Sequence, residues 1–367
     1  MREDQLERSM RAWAPRVSTV DVYDRVASKR TRRAARRRGG AGAVAVAVVV
    51  AISGAFLLLR QDGEPARIAA TGGPYETHLV TLDPDQGYVR GPLLVAGGTL
   101  SLSAYDRDGA SFTYPPSRIV RVDARTFAEQ GRTDLKAEIG SLADGEGARW
   151  AVTVNPPPAN GLPDAFLKRI GGDGVVVSTL LPRATDPVGA VVAGAGGVWI
   201  PVRDGVLRFD PTTLRLTARY ALAPADTRTV AISKDVVATD AGDLVALRPD
   251  GTTSGLCACT ATGDPVVGLA TSASGDLVEL TRNRATGRTA VDAQPLPRRF
   301  AAVSLLSAGG RVWVQGTMNG SPAAVLVRRH PATVVLDGAH DASFAWVGDD
   351  TVLAVADGRL VRVDLNK

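Results

Sequence analysis

The chain has 367 residues, with 43 Lys and Arg against 38 Asp and Glu, and is 45% hydrophobic but only 5% aromatic. That is enough length to bury one large domain or two average ones. Residues 1–38 carry 12 of the basic and 5 of the acidic residues, a net +7 that leaves the remainder at −2. The pI of about 9.5 therefore describes a short tail, and overall basicity gives no ground for a nucleic-acid partner.

In the tail, Leu6, Met10, Trp13 and Val17 recur at helical spacing and form one apolar face. Ser18 to Asp21 then reads as a capping box opening a second short helix with Val22, Tyr23 and Val26, which runs into Arg32, Arg33 and Arg36 to Arg38. Such a helix can lie on anionic lipid, with each arginine contributing about 1 kcal/mol near the surface. Alternatively, the face of Leu6, Met10, Trp13 and Val17 can dock a cytosolic partner. This segment is similar to the short inner segments of actinobacterial membrane proteins associated with anti-sigma-factor systems. That likeness would make a sigma factor the partner, although the His and Cys-x-x-Cys zinc motif of anti-sigma domains is absent. An excess of Arg over Lys, with abundant Ala, Gly and Val, also fits a high-GC genome of the actinobacterial kind.

From Gly39 to Leu59 there are 21 consecutive uncharged residues. As a helix rising about 1.5 Å per residue, they span the roughly 30 Å hydrocarbon layer of a membrane. Arginines precede the run and Arg60 followed by acids succeeds it, so positive charge is held inside with the N-terminus. The rival, a cleaved signal peptide, is disfavoured by the 38-residue leader and by the lack of a small-x-small site after the apolar core. The sequence thus predicts a single-pass plasma-membrane protein, with a cytoplasmic tail over 1–38, a transmembrane helix over 39–59, a linker over 60–75 and an extracytoplasmic domain over 76–367. Membrane lipid is the expected partner of residues 39–59 and of the arginine run.

Beyond the linker the chain repeats an apolar strand, a Gly turn, and a second strand of the form apolar-x-Arg-apolar-Asp. Its clearest copy is Gly197 to Thr213, in which Asp204-Gly205 is expected to supply the positive φ angles of a two-residue hairpin. Further copies follow at Ile119 to Asp123, Phe166 to Ile170, Val245 to Asp250 and Leu360 to Asp364. Preceding strands centre near Leu100, Trp150, Trp199, Val237, Leu277, Trp313 and Leu353. Seven units of about 40 residues predict an all-β, seven-bladed β-propeller. The last unit ends after three strands at Leu365, so Thr77 to Leu82 is expected to complete blade seven and close the ring. The Gly-Gly-Val-Trp-Ile and Leu-Arg-Phe-Asp-Pro-Thr-Thr pieces resemble the repeats of bacterial YVTN, NHL and streptogramin-lyase-like propellers. That group implies a lyase, a lactonase, a protein-binding platform or a sensor.

Residues suited to catalysis are few. His78, His330 and His340 are the only histidines, and no two occupy positions matching the paired histidines of the streptogramin-lyase pattern. No nucleophile elbow is present, and the sequence proposes no catalytic residue, no cofactor and no metal. Asp83 to Gly87 and Asp106 to Gly109 alternate acids with Gly, but neither is followed by the acid that completes a calcium loop. Cys257 and Cys259 fit either a strained disulfide or two small core residues. Loop length says more. The hairpin between second and third strands expands over residues 105–116 in blade one and 155–163 in blade two, with smaller expansions at Arg282 to Arg288 and Gly316 to Pro322. These hairpins share one face, so the expected ligand-binding residues are Tyr105, Asp106, Asp108, Phe112, Tyr114, Asn155 and Asn160. The ligand would be an extracytoplasmic protein or glycan, and the chain a non-catalytic binding or sensing module. The alternatives are a signalling protein coupled to a cytosolic partner and a surface-held lyase or lactonase-type enzyme.

Overall fold

A computed structural model of the chain describes residues 69–71, 75–80, 88–105, 117–155, 164–182, 186–256, 264–292, 294–308, 311–327, 332–347 and 350–365. The tail with Leu6, Met10, Trp13 and Val17, the 39–59 run, Cys257, Cys259 and His330 lie outside the described residues. Among the described residues no helix is long and apolar enough to cross a membrane.

Among the described residues every element is a strand. Two short ones come first, β1 (Ala69–Thr71) and β2 (Tyr75–Val80). Blade one is β3 (Tyr88–Ala96), β4 (Thr99–Tyr105), β5 (Ser117–Asp123) and β6 (Glu129–Asp134). Blade two is β7 (Glu138–Gly145), β8 (Ala148–Val154), β9 (Ala165–Ile170) and β10 (Val176–Leu180), and blade three is β11 (Val192–Gly194), β12 (Gly197–Val202), β13 (Gly205–Phe209) and β14 (Leu216–Ala221). Blade four is β15 (Val230–Ile232), β16 (Val236–Asp240), β17 (Asp243–Leu247) and β18 (Thr253–Leu256). Blade five is β19 (Val266–Thr271), β20 (Leu277–Arg282), β21 (Thr289–Val291) and β22 (Gln294–Pro295). Blade six is β23 (Phe300–Ala308), β24 (Arg311–Met318), β25 (Ser321–Leu326) and β26 (Ala332–Asp337), and blade seven is β27 (Ala342–Trp346), β28 (Thr351–Ala356) and β29 (Arg359–Leu365). Each blade is an antiparallel meander, and together they make a seven-bladed propeller. All seven second strands contain the residue on which the sequence centres its repeat.

Blade seven has its fourth strand from the other end of the chain. β2 pairs antiparallel with β29, Tyr75 opposite Leu365 and Val80 opposite Leu360. In addition, β1 pairs with β26 and gives blade six a fifth, outermost strand. Closure is also hydrophobic, because Leu353, Val355 and Leu360 of blade seven pack with Leu100, Leu102, Val120 and Val122 of blade one.

The core is the set of faces between blades. Along β12, alternate side chains leave opposite faces of the sheet. Val198, Ile200 and Val202 pack on Trp150, Val152 and Leu167 of blade two, while Trp199 packs with Val230, Val236 and Ala238 of blade four. This is why β12 is apolar and buried throughout rather than alternating. Each fully buried side chain of this size contributes about 2 kcal/mol.

Two turns differ from the sequence reading. The β12–β13 loop is Arg203-Asp204, with Val202 opposite Gly205, and neither loop residue has positive φ. Gly205 instead opens β13, where an added Cβ would collide with the Tyr220 carbonyl oxygen. In blade six, residues 316–322 are not an expanded loop: β24 runs on to Met318, and Asn319-Gly320, both at positive φ, turn it into β25.

Candidate functional site

The residues of the repeat motif are architectural. In blade three, Arg208 lies over the Trp199 ring at 5.2 Å and donates from Nη1 to the Pro249 carbonyl of blade four at 3.3 Å and from Nη2 to Gly196 at 3.1 Å. Tyr220 adds a hydrogen bond to the Arg248 carbonyl at 2.6 Å, and burial pushes its phenol pKa up. Arg121 reaches the Gly172 carbonyl of blade two in the same way. The motif's Asp caps the turn after the third strand. Thr213 N–H and hydroxyl both donate to Asp210, and corresponding bonds join Thr126 to Asp123 and Thr252 to Asp250. These donors hold all three carboxyls below the ordinary range, the Thr126 amide mattering most at Asp123, the Thr213 amide at Asp210 and the Thr252 hydroxyl at Asp250.

On the face that carries the hairpins between second and third strands, several side chains tie those hairpins to neighbouring connections and strands. Arg203 pairs with Asp186 and Asp226, Arg219 with Asp204, and Asn283 donates to Asp264. Asp357 accepts from the amides of His340 and Asp341, and its Oδ2 lies 3.4 Å from His340 Nδ1. Arg228 is fully buried, donating to the carbonyls of Val202, Ala223 and Thr239. Burial lowers its pKa, opposed by Asp240.

The hairpins themselves are unequal. Two-residue turns close blades three, four, six and seven, and residues 283–288 form a short turn in blade five. Blade one opens between Tyr105 and Ser117, which are paired. Blade two opens after Val154, paired with Ala165, where the amide of the half-buried Asn155 donates to the Asp164 carbonyl at 2.9 Å. Tyr105 is thus the last residue of β4 and Asn155 the first beyond β8. Asp106, Asp108, Phe112, Tyr114 and Asn160 lie outside the described residues. Blades one and two are neighbours, with Ile119 and Leu135 packing on Ile139, Leu142 and Ala151.

First strands of all blades surround a central cavity of about 690 Å³. Its wall is apolar, including Leu94, Val192, Ile232, Leu306 and Trp346, and Asp144, Thr271, Ser307 and Arg311 stand where the first strands end. Such a wall can hold an apolar body. Asp144 also raises the pKa of Arg149 against the larger lowering effect of burial. His78 lies on the outer strand of blade seven, 3.5 Å from Asp364 and 3.6 Å from Glu76, whereas His340 lies between blades six and seven, so each faces its own acid. Among the described residues no group of three or more His, Cys, Asp or Glu could hold a metal ion. At β11 and β15 the cavity residues escaped the sequence reading because those strands have three residues each and show no period. A recurrent pair, Leu142-Ala143, Val192-Ala193, Val230-Ala231 and Leu269-Ala270, was the available signal.

No protein-family model matches the sequence, and no curated protein matches it. Solved structures do. Virginiamycin B lyase from Staphylococcus aureus is similar at TM-score 0.55 and 12% identity, over 80% of this chain and 100% of that one. A catalytically inactive variant of that lyase with quinupristin gives TM-score 0.54, with the same identity and coverage. The β-propeller domain of the Trilobed protease from Pyrococcus furiosus gives 0.52 at 9% identity, over 76% of this chain and 95% of that domain. At these identities the likeness concerns the fold, and the fold is a β-propeller.

Proposed function

We propose that this chain is a membrane-tethered, extracytoplasmic propeller that binds a ligand without transforming it, through the long hairpins of blades one and two. One observation carries the reading: the two long hairpins spring from adjacent blades on a face where four others are two-residue turns. Ion pairs at Arg203 and Arg219 brace the neighbouring blade-three part of that face, and insertions on a rigid scaffold are where binding residues concentrate. Tyr105, Asp106, Asp108, Phe112, Tyr114, Asn155 and Asn160 supply the contacts, suited to a glycan or a protein surface. The 39–59 run anchors the molecule with the arginine-rich tail inside and the propeller outside. Through that single crossing a ligand outside could signal to a cytosolic protein, such as a sigma factor, docked on Leu6, Met10, Trp13 and Val17. A surface-held lyase is the second reading, favoured by the fold likeness to virginiamycin B lyase.

The test replaces residues 106–116 and 156–163 with Asn-Gly turns in the full chain. Proximity labelling from a tag on the propeller then compares the neighbours of the two proteins at the cell surface. Loss of specific neighbours at unchanged melting temperature supports the proposal. An unchanged neighbour set overturns the assignment of the ligand surface, and labelling of cytosolic proteins from that tag overturns the topology.

A further inference from the structure

The outer edges of the blades differ in a way that ligand binding at the hairpin face does not use. A blade's last strand presents unpaired backbone groups to solvent, and proteins normally guard such edges with charge, proline or brevity. Six edges here are guarded. β6 carries Glu129, Arg132 and Asp134, β2 carries Glu76 and His78, and β14 carries Arg219. β22 is two residues ending in Pro295, β18 is four residues broken by Gly255, and β1 has only three. β10, Val-Val-Ser-Thr-Leu, has no charge, proline or glycine. Five large hydrophobic side chains are exposed among the described residues, and four gather here. Val175 (58%), Val177 (49%) and Leu180 (47%) belong to β10 or immediately precede it, and Leu216 (42%) faces it from β14 across a groove.

Register and hydrogen bonds give the direction of each backbone group. Leu181 N–H donates to the Ala165 carbonyl and Gly171 N–H to the Val175 carbonyl, and Val177 and Thr179 stand opposite Arg169 and Leu167. In an antiparallel pair the bonded residues alternate. Val175, Val177, Thr179 and Leu181 therefore turn their amides and carbonyls toward β9, while Val176, Ser178 and Leu180 turn theirs outward. Side chains opposite one another share a face. Leu167 packs toward blade three, so Val177 and Thr179 face the groove beside Leu216.

We infer that β10 is a self-association edge: two copies of the chain join blade two to blade two, antiparallel, about a two-fold axis through Ser178. Val176 of one copy then stands opposite Leu180 of the other, and Ser178 opposite Ser178. The three outward residues of each copy complete about six hydrogen bonds. Across the junction Val177 of each copy lies opposite Thr179 of the other, on the groove side, covering the exposed apolar surface. Charge selects the occupant. The guarded edges β6, β2 and β14 of a second copy would set a carboxylate, imidazole or guanidinium against Val177 and Leu180, at a desolvation cost. The matching uncharged edge of comparable length is β10 itself, and a two-fold contact is self-complementary.

The experiment uses the full chain in detergent, with Cys257→Ser and Cys259→Ser as background. Sedimentation is expected to give a two-chain mass. Ser178→Lys, which sets like charges face to face on the axis, is expected to weaken association at least about tenfold while leaving the melting temperature unchanged. Ser178→Cys should be joined to itself by a short bis-maleimide, since Cα atoms of a bonded pair lie about 5.5 Å apart, whereas Arg219→Cys on β14 should not. A one-chain mass throughout, a dimer indifferent to Ser178→Lys, or cross-linking of the Ser178→Cys variant to a different protein instead of to itself would each overturn the inference. None of these outcomes depends on the hairpin ligand, so this inference and the proposed function fail separately.

Discussion

Asp123, Asp210 and Asp250 cap the turn after the third strand in three blades, and in blade five Asn283 makes the same kind of cap in the hairpin between second and third strands, its Oδ1 accepting from the Thr286 amide and hydroxyl. An uncharged amide oxygen suffices for the geometry, so the charge matters through its titration. A carboxyl held below its unfolded value of about 3.9 contributes stability that is present above that pH and is lost as pH falls through the lower folded value. Replacing all three with Ala is expected to lower the melting temperature at pH 7. That deficit should shrink as pH falls below about 4. Thermal melts of both proteins across pH 3 to 7 check this, and a deficit independent of pH would refute the link between titration and stability.

Within elements, the packing between blades depends on a few polar groups closing an otherwise apolar joint. The Trp150 and Trp199 indoles donate to the carbonyls of Gly145 and Gly194, the last residues of their blades' first strands. Thr271 donates to the Ile232 carbonyl of the neighbouring blade at 2.7 Å. Arg228 is the largest such group, a buried cation whose donors serve three carbonyls between blades three and four. Arg228→Met keeps much of the volume but strands those carbonyls and leaves Asp240 without its cation. A loss of about 3 kcal/mol is expected in denaturant unfolding. Tyr220→Phe, which removes one hydrogen bond at the same joint, should cost about 1 kcal/mol. Equal losses for the two would show that the guanidinium is not the main fastener.

At the scale of the molecule, stability rests on ring closure, because an open array would leave blade seven with three strands and an exposed edge at β29. Closure comes from β2, supported by a hydrogen bond from the Ala70 amide to the Thr77 hydroxyl at 2.9 Å. His78 stands opposite Arg362 in the middle of the β2–β29 pairing, and because the Leu365 N–H donates to the Asp350 carbonyl, it is the even-numbered residues of β29 that bond β2. Proline at His78 removes a ladder bond of the closing strand. His78→Pro is therefore expected to lower the melting temperature and to speed proteolysis within blade seven before the other blades. Uniform proteolysis along the chain would mean that the closing strand does not set the weakest point.

By itself the sequence determined the fold class, the blade number and the closing strand. Each of these follows from periodic features that a chain must show wherever it folds: an apolar second strand near Leu100, Trp150 or Trp199, a following Arg and Asp, and a last unit one strand short. Turn detail was less legible, since Asp204-Gly205 satisfies a hairpin preference locally while the Tyr220 carbonyl decides where the glycine must stand. Only the tertiary structure could show that Arg208 and Tyr220 grip the next blade, that β1 caps blade six, and that the seven first strands enclose a mainly apolar cavity. Those facts depend on residues far apart in the chain meeting across a ring, and no local period encodes them. The hairpins of blades one and two were visible in sequence as length. That they rise from neighbouring blades on a face otherwise closed by short turns is a property of the assembled propeller.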